Sequence, residues 1–180
     1  MSPLIHGAVG WLIAHRAASR RLRITTTIAA VVPDIDGIGL LHSEALYLEW
    51  HHRLCHGVGF AVVVAVVAAL VCRREKPALA AVLALIAYHS HIVLDLCGSG
   101  PGWPILYFWP WSSLEWLPSW QWDLASWQNS LFGLVTIVVC LNAARTVGRT
   151  PVEVFSPRAD AAVVAAIVKR FGLARSARPR

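Results

Sequence analysis

Charge is scarce in this sequence. Only 14% of its 180 residues are Asp, Glu, Lys or Arg, while 57% are hydrophobic; soluble domains run nearer about 25% and about 45–50%. That shortage excludes an ordinary water-soluble globule, and a mean hydropathy of +0.57 points to a membrane. Cysteine is sparse too. Cys55, Cys72, Cys97 and Cys140 form no C-x-x-C pair and no regular framework, so a structural disulfide is not expected. Three of them lie in or beside apolar runs, where a thiol behaves as a small hydrophobe. The N-terminus lacks a basic leader and an A-x-A cleavage site, so no signal peptide is expected to be removed.

Long apolar runs are also few. A full span needs about 20 apolar residues, and of the runs at 4–14, 24–32, 58–72, 78–97 and 131–144 only the fourth meets this easily. The third and fifth fit once flanking residues are counted. The first two read as half-spans or a re-entrant pair, which need protein around their backbone. A last apolar stretch at 159–168, near Lys169, Arg170 and Arg175, reads as an amphipathic helix on an anionic membrane face. The expected fold is therefore all-α: an integral membrane helical bundle. It would have a membrane-embedded unit at 1–150 and a basic amphipathic tail at 151–180.

What is present is first a segregation of charge. Of 16 basic residues, 15 fall at 16–23, at 73–76 or from 145 onward. If each apolar run crosses, or enters and returns, these regions share one side, which the positive-inside rule makes cytoplasmic. The other side then holds Asp34, Asp36, Glu44, Glu49, Glu115 and Asp123. A basic patch that anchors an inner face is poor equipment for reading nucleic acid, so no nucleic-acid partner is expected. Seven of the nine tryptophans crowd into 103–127. They suggest an interfacial aromatic belt, or a lid that dips into lipid and admits an amphiphilic substrate.

The chemistry-bearing residues lie on the acidic side. In "VVPDIDGIG", Pro33 stops an apolar run, and Asp34 and Asp36 would point the same way if extended. Two carboxylates at such a lip are costly unless paired, and borderline cations accept them. In "HHRLCHGVGF", His52 and His56 are four apart, one turn on a helix. Arg53 between them would resist a cation but suits a substrate anion such as phosphate. His51 reads as peripheral, and Cys55 faces away. In "HSHIVLD", His91 and Asp95 repeat the i, i+4 spacing inside the fourth apolar run, where a buried carboxylate must be paired. His89 lies on another face. His6 sits at the same outer end. His6, Asp34, Asp36, His52, His56, His91 and Asp95 together predict a metal site at the outer mouth of the bundle.

The order His6, "PDID" 33–36, "HRLCHG" 52–57, "HIVLD" 91–95 and "GSGPGWPILYFWPWS" 98–112 resembles the bacterial inner-membrane YdjM family, whose members are regarded as metal-dependent hydrolases. The match covers about residues 1–115. In its ligand order that family is similar to the α-helical zinc-dependent phospholipase C and single-strand nuclease group. The resemblance implies that His56, His91, Asp95 and one of Asp34 or Asp36 hold one divalent ion, Zn²⁺ by analogy. It implies His6 for a second ion, with Asp95 bridging. That group's further site uses a later His-x-x-x-Glu, which this chain lacks.

The function expected from residues and resemblance together is a membrane-bound hydrolase of a phosphoester in a lipid or lipid-linked substrate. Whichever of Asp34 and Asp36 is not a ligand would be the general base, and Arg53 would steady the anion. The active site would face outward from the bacterial inner membrane, with the C-terminus in the cytoplasm. Two other classes compete: a metal or proton transporter, and a non-catalytic membrane protein whose metal only clamps its helices.

Overall fold

A computed structural model describes residues 1–172. These are helical, with a single antiparallel bridge between Ile105 and Trp116 in place of any strand. Helix α1 is Pro3–Ala14 and α2 is Arg20–Ala29, the latter capped by Ser19, whose side chain accepts from the Leu22 amide. A 49° bend then leads into a 3-10 segment, Val32–Leu41. Pro33 explains the break, because its ring removes a donor and crowds the preceding turn. A short α3, Glu44–Trp50, precedes α4, Val58–Val71, and α5, Pro77–Gly98. After the Trp-rich loop come α6, Trp127–Val147, a 3-10 turn at Pro151–Val154, and α7, Pro157–Phe171.

Among the described residues two helices, α5 and α6, are long and apolar enough to cross a membrane, and the bent α2 pair makes up to three. The first two apolar runs are short, as expected: α1 has 12 residues, about 18 Å at 1.5 Å per residue. The third run corrects the sequence reading. Its helix α4 has only 14 residues, about 21 Å against a hydrocarbon core of about 30 Å. Residues 51–57 do not extend it, because they fold into the site described below.

Small residues set the packing. Ala61, Ala65 and Ala68 of α4 recur on one face, as do Ala80, Ala84 and Ala87 of α5, and all six are buried. Alanine at this spacing lets backbones approach where lipid supplies no hydrophobic drive between helices. The outer faces stay apolar: Val62, Val66 and Leu70 on α4, and Leu134, Ile137 and Val138 on α6, are all exposed. Such a continuous apolar surface marks contact with lipid.

The antiparallel order sorts the chain by chemistry. The starts of α1, α4 and α6 meet the ends of α2 and α5, which brings together His6, Ala30, His56, Asp95 and Asn129. At the opposite end Arg21 pairs with Glu75 at 3.4 Å, and an Arg149 guanidinium N–H reaches the His15 carbonyl. There too lies a buried network that the sequence reading did not find. Arg23, counted above among the basic residues of the inner face, is 4% exposed. It donates from Nε and Nη2 to Glu153 at 2.6 and 2.7 Å, and Trp11 donates to the same carboxylate at 2.8 Å. Glu153 thus ties the segment after α6 to α1 and α2. Of the basic tail expected at 151–180, α7 is described, while Arg175 and the other residues of 173–180 lie outside the described residues.

Gly10 is where α1 and α2 come closest. A Cβ there would stand 2.4 Å from Ala30 Cβ and 3.2 Å from the Thr26 carbonyl. Gly10→Ala should therefore push the helices apart and lower the melting temperature of the purified protein by several degrees, consistent with about 1–3 kcal/mol for overpacking. Because Ala30 also supports the site, metal affinity should fall with it. A melting temperature equal to that of wild type would show that the crossing has slack.

Candidate metal centre

The site residues come from α1, the 3-10 segment, the loop before α4, and α5, and local structure decides which atom each offers. Asp34 and Asp36 sit in the 3-10 segment, not in the extended stretch anticipated. At three residues per turn, i and i+2 diverge. Asp34 is half-buried on the pocket side, while Asp36 is buried and turned inward. Residues 51–57 are likewise not helical. Helix α3 ends at Trp50, and His52 has φ 65°, the left-handed region that costs a non-glycine residue about 1–3 kcal/mol. The i, i+4 helical face for His52 and His56 is therefore corrected: a strained loop carries them, with Arg53 between them.

That loop is held from two sides. The Leu106 amide donates to the His52 carbonyl at 3.1 Å, and the Val58 amide donates to Tyr107 O at 2.8 Å. Tyr88 of α5 shares its hydroxyl proton between the carbonyls of Cys55 and Gly57, at 2.9 and 2.8 Å.

His91 and Asp95 do project from one face of α5, as their spacing predicts. Asp34, His56, His91 and Asp95 each offer one ligand atom, and the four atoms lie within 4.8 Å of one another. His56 Nε2 and His91 Nε2 are 3.1 Å apart. His91 Nε2 lies 2.8 Å from Asp95 Oδ2 and 3.6 Å from Asp34 Oδ1, and His56 Nε2 is 3.6 Å from Asp95 Oδ2. Four donors at Zn–N and Zn–O distances of about 2.0–2.2 Å around a tetrahedral ion would stand roughly 3.3–3.6 Å apart. This His/Asp group could hold a metal ion.

The rings are oriented from behind. His56 Nδ1 is 3.0 Å from Asp36 Oδ2, and His91 Nδ1 is 2.8 Å from the Ala30 carbonyl. Both partners only accept, so both Nδ1 atoms carry the proton and both Nε2 lone pairs face the gap. Lone pairs 3.1 Å apart repel unless a cation lies between them. Burial opposes a charged His56, but the hydrogen bonds to Asp36 and Asp95 outweigh it and lift its pKa to about 9. His52 goes the other way: burial, reinforced by His56, lowers its pKa to about 3.

The remaining candidates surround this cluster. Asp36 has both oxygens engaged, by His51 Nδ1 at 2.7 Å, the Cys55 amide at 3.1 Å and His56. It orients imidazoles and has no oxygen turned to the four-atom group. His6 stacks on His91 with ring centroids 3.8 Å apart and puts Nε2 3.1 Å from Asp95 Oδ1, which also receives the N-terminal ammonium. His52 Nε2 is 3.8 Å from Asp95 Oδ2. His6 Nδ1 and His52 Nδ1 are both buried without a hydrogen-bond partner. His51, His52 and His56 form a second group whose ligand atoms are mutually close. His89 joins the Tyr107 hydroxyl at 2.7 Å, away from the cluster.

A pocket of about 670 Å³ opens onto Asp34, with Tyr47, His51, His52 and Trp103 among its walls. Tyr47 stacks on His51 at 4.8 Å, and Trp103 meets His51 and His52 edge-on at 5.8 and 5.7 Å. Sequence reasoning missed Tyr47, and it placed Trp103 only in the tryptophan-rich belt or lid, not beside the histidines. Trp103 could have been flagged by its place in the glycine-rich stretch 98–103, whereas nothing around Tyr47 marks it. Arg53 does not line this pocket; it opens on a smaller neighbour.

Fold and cluster together define a class: an all-helical membrane protein with a buried His/Asp group, suited to a metal ion, at one end of its bundle. The chain belongs to the YdjM inner membrane protein family, whose sequence pattern matches residues 1–172. No curated protein and no solved structure matches it.

Proposed function

We propose that this protein is a metal-dependent hydrolase acting on a phosphoester of a lipid or lipid-linked substrate. The observation that carries the reading is the pair of opposed Nε2 atoms, His56 and His91, with Asp34 and Asp95 completing the set. A divalent ion there, Zn²⁺ by its mixed nitrogen and oxygen donors, would supply Lewis acidity that polarises a phosphoryl oxygen and acidifies water. The chain's own residues do the rest. Asp36 and the Ala30 carbonyl hold the two imidazoles in one tautomer. Asp34 lines the pocket and closes the ligand set from that side, its Oδ1 3.6 Å from His91 Nε2. Apolar helix faces, with Trp111, Trp120 and Trp127 exposed, set the pocket at lipid level and favour an amphiphilic substrate.

One observation favours a rival. Four protein donors fill a tetrahedral shell, as a purely structural ion would require. The test is metal content of the purified protein together with hydrolysis of a generic phosphodiester before and after chelation. Hydrolysis that chelation abolishes and Zn²⁺ restores supports the enzyme. Stoichiometric metal with no hydrolysis, and a melting temperature that falls on chelation, supports the clamp.

The same reading places the site on the outer face and the C-terminus in the cytoplasm. Its support is the collection of basic residues at the opposite end of the bundle. Ser113 is exposed in the Trp-rich loop. With the native cysteines removed, Ser113→Cys should react with an impermeant thiol reagent in spheroplasts. Labelling only after lysis would reverse the orientation.

A further inference from the structure

Arg53 is the group that the site leaves unexplained. It is half-buried, its Nε is fully enclosed without a hydrogen-bond partner, and its guanidinium forms no ion pair among the described residues. A buried N–H left unmade costs about 1–3 kcal/mol, and native structures seldom tolerate one without a reason. Arg53 lines a pocket of about 230 Å³ together with Glu49, Glu115, His51 and Trp103. His51 and Trp103 also wall the larger pocket beside the metal centre, so the two cavities adjoin. Glu49 and Glu115 stand exposed on the rim, and neither is in an ion pair among the described residues.

The charges narrow the occupant. A plain anion would meet Arg53 but also two carboxylates. A plain amine would meet the carboxylates but also the guanidinium. A group carrying an ammonium and a carboxylate on neighbouring atoms satisfies all three, with the planar guanidinium fork matched to the carboxylate and the indole of Trp103 available to the ammonium.

We propose that the pocket of Arg53, Glu49 and Glu115 is a headgroup subsite for a zwitterionic α-ammonium carboxylate, borne by the molecule whose phosphoester lies at the metal centre. This rests on the hydrolase reading for the phosphoester and on the pocket alone for the headgroup. The chemistry is that of a serine phosphodiester, whether free or in a lipid.

The test separates the two readings. Metal-loaded protein in detergent is titrated calorimetrically with glycerophosphoserine, glycerophosphoethanolamine and glycerophosphoglycerol. The serine compound should bind roughly tenfold more tightly than either of the others, the size of one charge-assisted hydrogen bond. Arg53→Gln should erase its advantage over the ethanolamine compound. Glu49→Gln with Glu115→Gln should erase the ethanolamine compound's advantage over the glycerol one. Metal content should hold in each variant. The double substitution lies on an exposed rim, so it remains informative even if Arg53→Gln does not fold. Equal affinity for the three compounds, or metal loss in Arg53→Gln, would overturn the subsite. Vesicles of the three corresponding phospholipids are then assayed for hydrolysis. Preferential binding without hydrolysis keeps the subsite and removes the hydrolase; equal hydrolysis of all three, with equal binding, does the reverse.

Discussion

His91→Ala and Asp95→Ala should each strip bound metal from the purified protein, to a small fraction of the wild-type stoichiometry. The two side chains leave one face of α5 a single turn apart, and their nearest atoms are 2.8 Å from each other. Both are buried in the half of a spanning helix nearest the site. Removing His91 deletes a ligand and the group nearest to Asp95 Oδ2. Removing Asp95 deletes the group on which His6, His56 and His91 all converge. Asp36→Asn should act less severely. It keeps the shape and loses only the charge behind His56, so a loss of about 10–100-fold in metal affinity is expected, as for other residues that orient a ligand. Metal analysis by mass spectrometry, with circular dichroism to confirm helicity, checks all three. Unchanged stoichiometry in both alanine variants would remove the metal site as drawn.

The contrast between those residues shows what the sequence could and could not reveal. His91 and Asp95 were legible because a long apolar run fixes its own periodicity, so spacing translates directly into a shared face. His52 and His56 have the same spacing, but their segment is ordered by hydrogen bonds from Leu106 and Tyr88, residues distant in the chain. A four-residue interval there carried no geometric meaning, although both histidines still reach the site. Asp34 and Asp36 were legible as a pair and not as individuals, since their divergence depends on a 3-10 turn behind Pro33. The all-α membrane class followed from composition. The shortness of α4 was half legible: the apolar run 58–72 already matches Val58–Val71, but the flanking residues counted towards a span serve the loop instead. Tyr47 reached the pocket through tertiary packing alone, and no local pattern announces that.

Glu153→Ala should destabilise the protein more than any change on the lipid-facing surface. Its carboxylate is 4% exposed and takes three hydrogen bonds, two from Arg23 and one from Trp11, while its backbone carbonyl accepts from Arg20. Removing it leaves the buried Trp11 indole N–H and the Nε and Nη2 of Arg23 without partners, and the guanidinium charge uncompensated, with only Nη1 still held by the Ala17 and Ala18 carbonyls. Breaking a buried ion pair from one side costs about 3–5 kcal/mol, which for a chain of this size corresponds to a fall in melting temperature of roughly 10 °C. Replacing both partners, Arg23→Met with Glu153→Leu, should recover much of that loss, because no uncompensated charge remains. The pH dependence has a definite sign. Burial alone would raise the Glu153 pKa, but the hydrogen bonds from Arg23 and Trp11 prevail and hold it below the usual carboxylate value. A carboxyl depressed on folding contributes its full stability above its unfolded pKa of about 4.3 and loses it as pH falls through the folded value. The gap in melting temperature between wild type and Glu153→Gln should therefore stay constant from about pH 6 to 8 and narrow only below about pH 4. Because the network lies at the end of the bundle opposite the His/Asp group, the folded fraction of Glu153→Ala should keep its metal. A melting temperature within about 2 °C of wild type would mean that the network is worth no more than an exposed pair, for which the expectation is about 0–1 kcal/mol.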